Sequence, residues 1–297
     1  MINIRKLIGL LTITGALGVV SITSSNPVLA KHNPKTTAIK KATNQPANQN
    51  ALTKGNVPKL WSQGYQGQGM VVAVIDSGVQ NNQEFQLSSN TTAKISKSQA
   101  QKFIAQRGYG KYISPKIPFA YDYVNNNNDD SSADSVSGFH GLMVAGVAAA
   151  NGVARRSKAK FVQGVAPEAQ ILNLKVYGGF SDESPNDVAR AIYDAVDLGA
   201  DVINMSLGIG VGNESLDDQE QAAVKYATDH GVFVAVAGSN YGHAGSITTD
   251  YNEQSNSTIT TYEPANSGTI SDPAISPFAT TVGDENTKQG DKSEMDS

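Results

Sequence analysis

Met70-Val71-Val72-Ala73-Val74-Ile75-Asp76-Ser77-Gly78 is the stretch on which the fold turns. Six apolar residues in succession, four of them β-branched, suit a strand covered on both faces, and the polar turn residues that follow end it. Ile171-Leu172-Asn173-Leu174-Lys175-Val176, Val202-Ile203-Asn204-Met205 and residues 232–237 repeat the pattern, and 278–282 offers a fifth strand. Helices fall between them. A Gly- and Ala-rich segment begins at His140 and stops at Asn151-Gly152. Ser184-Pro185-Asn186-Asp187 opens another with a capping serine, a first-turn proline and an acid at capping-box spacing. Val188, Ile192, Ala195 and Val196 are its apolar stripe, and Gly199 closes it. A third spans 216–230 before Gly231, 94–107 suits a short helix, and 125–132 reads as a polar loop. The alternation predicts an α/β fold, a parallel sheet with helices on both faces, with chemistry at the C-terminal ends of the strands.

The composition agrees with a globular body. The 297 residues are 39% hydrophobic and 17% charged, which excludes a disordered chain. There is no cysteine, so a disulfide scaffold, a thiolate zinc site and a cysteine nucleophile are all excluded. The net charge of −4 hides an asymmetry: residues 1–30 carry +2 and 31–68 carry +6, leaving −12 for 69–297. So acidic a body has no footprint for a phosphate backbone, and nucleic acid is not an expected partner.

The N-terminal segment reads as an address. Arg5 and Lys6 precede an apolar stretch from Leu7 to Ile22, and Val28-Leu29-Ala30 supplies small residues for a cut. This is the layout of a signal peptide spanning 1–30, too short and too rich in Thr and Gly for a bilayer span. The expectation is an exported protein without lasting membrane insertion. Residues 31–55, rich in Lys, Asn, Gln, Thr and Pro, read as a flexible basic linker ahead of a domain over 56–297.

Two residues stand out as chemistry. Asp76 sits where the first buried strand ends. By itself it is as much a turn former as a catalyst. His32 lies in the linker, His230 ends a helix before Gly231 and His243 lies in a Gly-containing loop. His140 begins a helix whose small residues, Val144-Ala145-Gly146, allow close packing against a strand end. With no carboxylate nearby it would be a packing residue; with Asp76 to orient it, it becomes a general base.

Val74-Ile75-Asp76-Ser77-Gly78, His140-Gly141 with Val144-Ala145-Gly146, and Asn204-Met205-Ser206-Leu207-Gly208 resemble the Asp, His and substrate-strand motifs of subtilisin-like serine proteases. Gly164-Val165-Ala166-Pro167-Glu168-Ala169 and the lead-in Trp61 to Gly69 resemble that family too. The insertion over 94–122 is most similar to lactocepin-type cell-envelope proteinases. The resemblance, spanning about 56–286, implies a subtilisin-like sheet, peptide or protein substrates and a secreted or envelope-associated location. It implies that Asp76 orients His140 and that Ser206, Leu207 and Gly208 pair with an extended peptide. Asn240 is taken as the oxyanion donor over Ser239, because its amide is the better donor and Gly242 keeps the spacing. No cofactor is implied as essential. Calcium is common in the family, but the acidic residues over 125–134 read first as a solvated loop.

The departures concern the nucleophile. No Gly-Thr-Ser-x-Ala-x-Pro motif occurs, and the look-alike at Ser271 is followed by Pro273 and Pro277, which do not open a buried helix. The sheet is therefore expected to be incomplete at its C-terminal side and the chain inactive alone. The alternative is a secreted pseudoprotease that binds peptides without cutting them. A nucleotide-binding sheet is weaker, for want of a glycine-rich turn after Asp76.

Overall fold

The computed structural model describes residues 45–129, 131, 139–152, 161–178, 184–208, 218–238, 247–252, 257–262 and 270–283. The signal-peptide reading of 1–30 lies outside the described residues, as do Ser239 and Asn240. Strand β1 (Val71–Asp76) is buried along its whole length, near the middle of a six-stranded parallel sheet. The other strands are β2 (Phe119–Asp122), β3 (Gln170–Lys175), β4 (Val202–Met205), β5 (Phe233–Ala237) and β8 (Thr280–Val282), in the order β2-β3-β1-β4-β5-β8. Strands β6 (Ile247–Asn252) and β7 (Ser257–Tyr262) form a separate antiparallel pair.

The two-residue alternation of β1 divides the hydrophobic core. Val71, Ala73 and Ile75 enter one cluster with Leu172, Leu174, Ile203 and Met205. Helices α5 (Pro185–Asp197) and α6 (Gln219–Asp229) cover it through Val188, Ile192, Ala195, Val224 and Ala227. Val72 and Val74 enter the other cluster, beneath Ala145 and Ala149 of α4 (His140–Ala149). The helices thus lie on both faces, as the strand–helix alternation predicts.

Local chemistry sets the helix ends. Helix α3 (Lys97–Arg107) begins with a complete capping box, in which Ser96 Oγ accepts from Gln99 N and the Gln99 side chain accepts from Ser96 N. The box expected at Ser184 is not formed. The Asp187 N–H is taken at 2.9 Å by the backbone carbonyl of Ser184, leaving the hydroxyl without a capping role, and Asp187 turns to Arg190 at 3.2 Å. Helix α6 starts later than 216, because Asp218 caps it by accepting from the N–H groups of Glu220 and Gln221.

The linker boundary also needs correction. Helix α1 (Gln49–Lys54) lies within the expected linker and is docked on the body. Ala47 N donates to Phe161 O at 2.7 Å, Asn48 exchanges bonds of 2.7 and 3.2 Å with Gln163, and Leu52 is buried. These bonds seat a segment whose polar composition reads as solvated. Helix α2 (Val57–Ser62) follows, with Trp61 Nε1 donating to Val165 O at 2.9 Å.

Candidate active site

Asp76 ends β1 and His140 begins α4, and the fold brings them together: His140 Nδ1 lies 2.7 Å from Asp76 Oδ1. Asp76 is fully buried, while the imidazole keeps 14% of its surface exposed. The same carboxylate oxygen accepts from Ser77 N at 2.7 Å and from the Tyr177 hydroxyl at 2.8 Å. Tyr177 Oη also stands 2.8 Å from His140 Nδ1. A phenol has one proton to give. With it committed to the carboxylate, Tyr177 can only accept from the ring, which assigns the ring proton to Nδ1. Nε2 then carries the lone pair that a general base needs. Among the described residues, the buried Asp76 Oδ2 has no hydrogen-bond partner.

Backbone contact sets the spacing of the pair. The Gly141 N–H donates to Ser77 Oγ at 3.0 Å, so the turn after β1 caps α4 in place of Phe139, which makes no side-chain cap bond. A Cβ at Gly141 would lie 2.4 Å from Gly78 O and 3.1 Å from Asp76 Oδ1, so only glycine allows this approach.

Tyr177 was not among the residues singled out from sequence. A usable signal was present: it lies two residues past the end of β3, the strand paired with β1 up to Asp76–Lys175, and so at the C-terminal rim.

The substrate-strand motif over 204–208 divides in two. Strand β4 pairs with β1 on one side and β5 on the other as far as Met205, so Asn204 and Met205 are interior to the sheet. Only Ser206, Leu207 and Gly208 run beyond it, past the rim where Asp76 lies. A Cβ at Gly208 would meet Ser271 Cβ and Asp272 O at 3.0 Å. Ser271 is fully buried, donates its N–H to Gly238 O at 3.3 Å and precedes the cis Asp272-Pro273 bond; it opens a turn and not a helix. In the acidic loop, Asp129 is occupied by Ser131, whose hydroxyl at 2.8 Å holds that carboxyl below its ordinary range.

Comparison with known sequences places this geometry. The subtilase family profile matches residues 67–295. The chain therefore belongs to the subtilase family. It is 40% identical over 214 residues to the PI-type proteinase of Lactococcus lactis subsp. cremoris, covering 70% of this chain and 11% of that protein. It is 33% identical over 219 residues to the C5a peptidase of Streptococcus pyogenes serotype M1, covering 71% and 18%. The chain thus matches only about a tenth to a fifth of the length of these relatives. Among solved structures, MycP1 with its N-terminal propeptide removed covers 79% of this chain and 62% of its own, at 23% identity and a TM-score of 0.49. Among the described residues no helix is long and apolar enough to cross a membrane.

Proposed function

We propose that this chain carries the Asp–His half of an exported subtilisin-type endopeptidase site, and that the nucleophilic serine is not among its 297 residues. The observation that supports it is the 2.7 Å contact of His140 Nδ1 with Asp76 Oδ1 at the C-terminal rim of a parallel sheet. In this mechanism a serine Oγ attacks the scissile carbonyl while His140 Nε2 takes its proton, and Asp76 stabilises the imidazolium. Asn240 donates to the oxyanion; the C–N bond then breaks and the proton passes to the leaving amine. An extended peptide lies along Ser206–Gly208. The basic, apolar N-terminus supports export, and the acidic body supports a protein substrate over a nucleic acid.

The test uses a fluorophosphonate probe and casein. The chain alone is expected to show neither labelling nor cleavage, since loss of a triad member leaves only about 10³–10⁴-fold acceleration over water. Appending a subtilase segment that bears Gly-Thr-Ser-x-Ala-x-Pro is expected to restore labelling, and His140→Ala to abolish it. Labelling indifferent to His140→Ala would overturn the role of the pair. Labelling of the unmodified chain would place the nucleophile within it, with Ser271 the first residue to mutate. Peptide binding without labelling in either form would favour the pseudoprotease.

A further inference from the structure

Tyr177 lies just past β3, on the rim where Asp76 ends β1. We propose that it is a positioning residue for the Asp76–His140 pair: its hydroxyl holds Asp76 Oδ1 against the ring and keeps the ring proton on Nδ1. This role rests on the catalytic reading of the pair for its kinetic consequence alone.

Backbone geometry delivers the side chain. Val176 N donates to Asp76 O at 2.9 Å, which carries the bonding between β1 and β3 one residue past their last paired positions. Val176 is buried in the cluster beneath α5 and α6, so alternation turns Tyr177 to the opposite face, toward α4 and His140. Its ring centroid stands 6.2 Å from that of His140.

The three polar atoms form a near-equilateral triangle, with Nδ1 to Oδ1 at 2.7 Å and Tyr177 Oη at 2.8 Å from each. The phenol and the ring supply one proton each. Were the phenol to donate to Nδ1, the ring proton would sit on Nε2, and Oδ1 would face lone pairs on both neighbours. Donation to Oδ1 instead puts a proton on every side of the triangle, and this holds after His140 gains its second proton. A hydroxyl that needed only some acceptor has another close by: the buried Asp76 Oδ2 has no partner among the described residues. Tyr177 meets the oxygen that the ring uses, and so fixes which carboxylate oxygen faces Nδ1.

Tyr177→Phe keeps the ring and removes only Oη. The first measurement is imidazole nitrogen NMR of the full chain, with the His140 signals assigned by their loss in His140→Ala. The unmodified chain is expected to carry its ring proton on Nδ1, and Tyr177→Phe to speed exchange of that proton with water about tenfold, the weight of one hydrogen bond. A proton on Nε2 of the unmodified chain, or an exchange rate that Tyr177→Phe leaves unchanged, would overturn the role whatever the activity. Tyr177→Leu, with the same expected rise, replaces the variant if its urea midpoint shows a lost fold. The second measurement uses the chain completed with a serine-bearing segment. There Tyr177→Phe is expected to lower kcat about tenfold with KM unchanged, and to add little in an Asp76→Asn background, because the hydroxyl acts through that carboxylate. An equal loss in both backgrounds would overturn the role in favour of a structural one. A completed chain without activity would count against the catalytic reading, and the NMR would still decide Tyr177.

Discussion

The two ends of the parallel sheet each bury a carboxylate and treat it differently. At the N-terminal end Glu168, 6% exposed, uses both oxygens: Ser88 Oγ and Asn151 Nδ2 reach one, Ser88 N and Thr91 Oγ1 the other. Burial opposes its charge, and these bonds overcome that, holding its carboxyl below the ordinary value. Nearby Lys116 is buried with Nζ on Pro167 O at 2.7 Å, and desolvation lowers it to about 7 against the opposing pull of Glu168. At the C-terminal end Asp76 crowds three donors on one oxygen and, among the described residues, leaves the other with none, beside a ring that reaches solvent. A saturated carboxylate belongs to the framework. One that is lopsided, beside an imidazole that reaches solvent, fits the acid–base role proposed for Asp76 and His140.

The strongest test of this contrast is a matched pair of isosteric changes. Glu168→Gln sets an NH₂ against groups that already donate and is expected to cost about 3–4 kcal/mol in urea unfolding. Asp76→Asn can turn its NH₂ to the side where Oδ2 has no partner, and is expected to cost under about 1 kcal/mol. Equal costs would break the contrast. The next test follows pH. Lys116 holds its proton less firmly folded than unfolded, so between pH 7 and about 10.5 the unfolded chain binds the extra proton. Its contribution to stability therefore rises with pH, by about 1.4 kcal/mol per unit in that window. Lys116→Met removes this slope, so urea midpoints at pH 7, 8 and 9 should show wild type gaining on the variant. The smallest effect carries the same rule to helix ends. Ser96→Ala loses a made bond and is expected to cost about 1 kcal/mol, while Ser184→Ala loses none and should cost a few tenths. Thermal melts of the two variants decide it.

Much of the sheet was legible because its central strands carry their own signal. Residues 71–75 are buried on both faces, and their continuous apolar run announces this without knowledge of the partner strands; 202–205 buries Ile203 and Met205 in alternation and is marked by those residues. Strand β2 was not foreseen: four residues beside Pro118 become a strand only by pairing with β3, a contact between distant parts of the chain. The hairpin of β6 and β7, rich in Thr, Asn and Ser, has no apolar run to mark it. Asp76 and His140 could be found by motif. Tyr177 carries only the weaker signal of a position just past β3; that β3 neighbours β1 is a fact of topology and not of local sequence.

The absence of a side chain at Gly141 has a consequence for any attempt to redesign this protein. The distance between acid and base is set where two backbones touch, not by the length or rotamer of either functional side chain. Alanine, the least possible enlargement, puts a carbon into the Gly78 carbonyl and must push α4 off the strand end. Its His140 would be chemically intact and out of reach, so a library that varies only Asp76 and His140 would overlook the position that calibrates them.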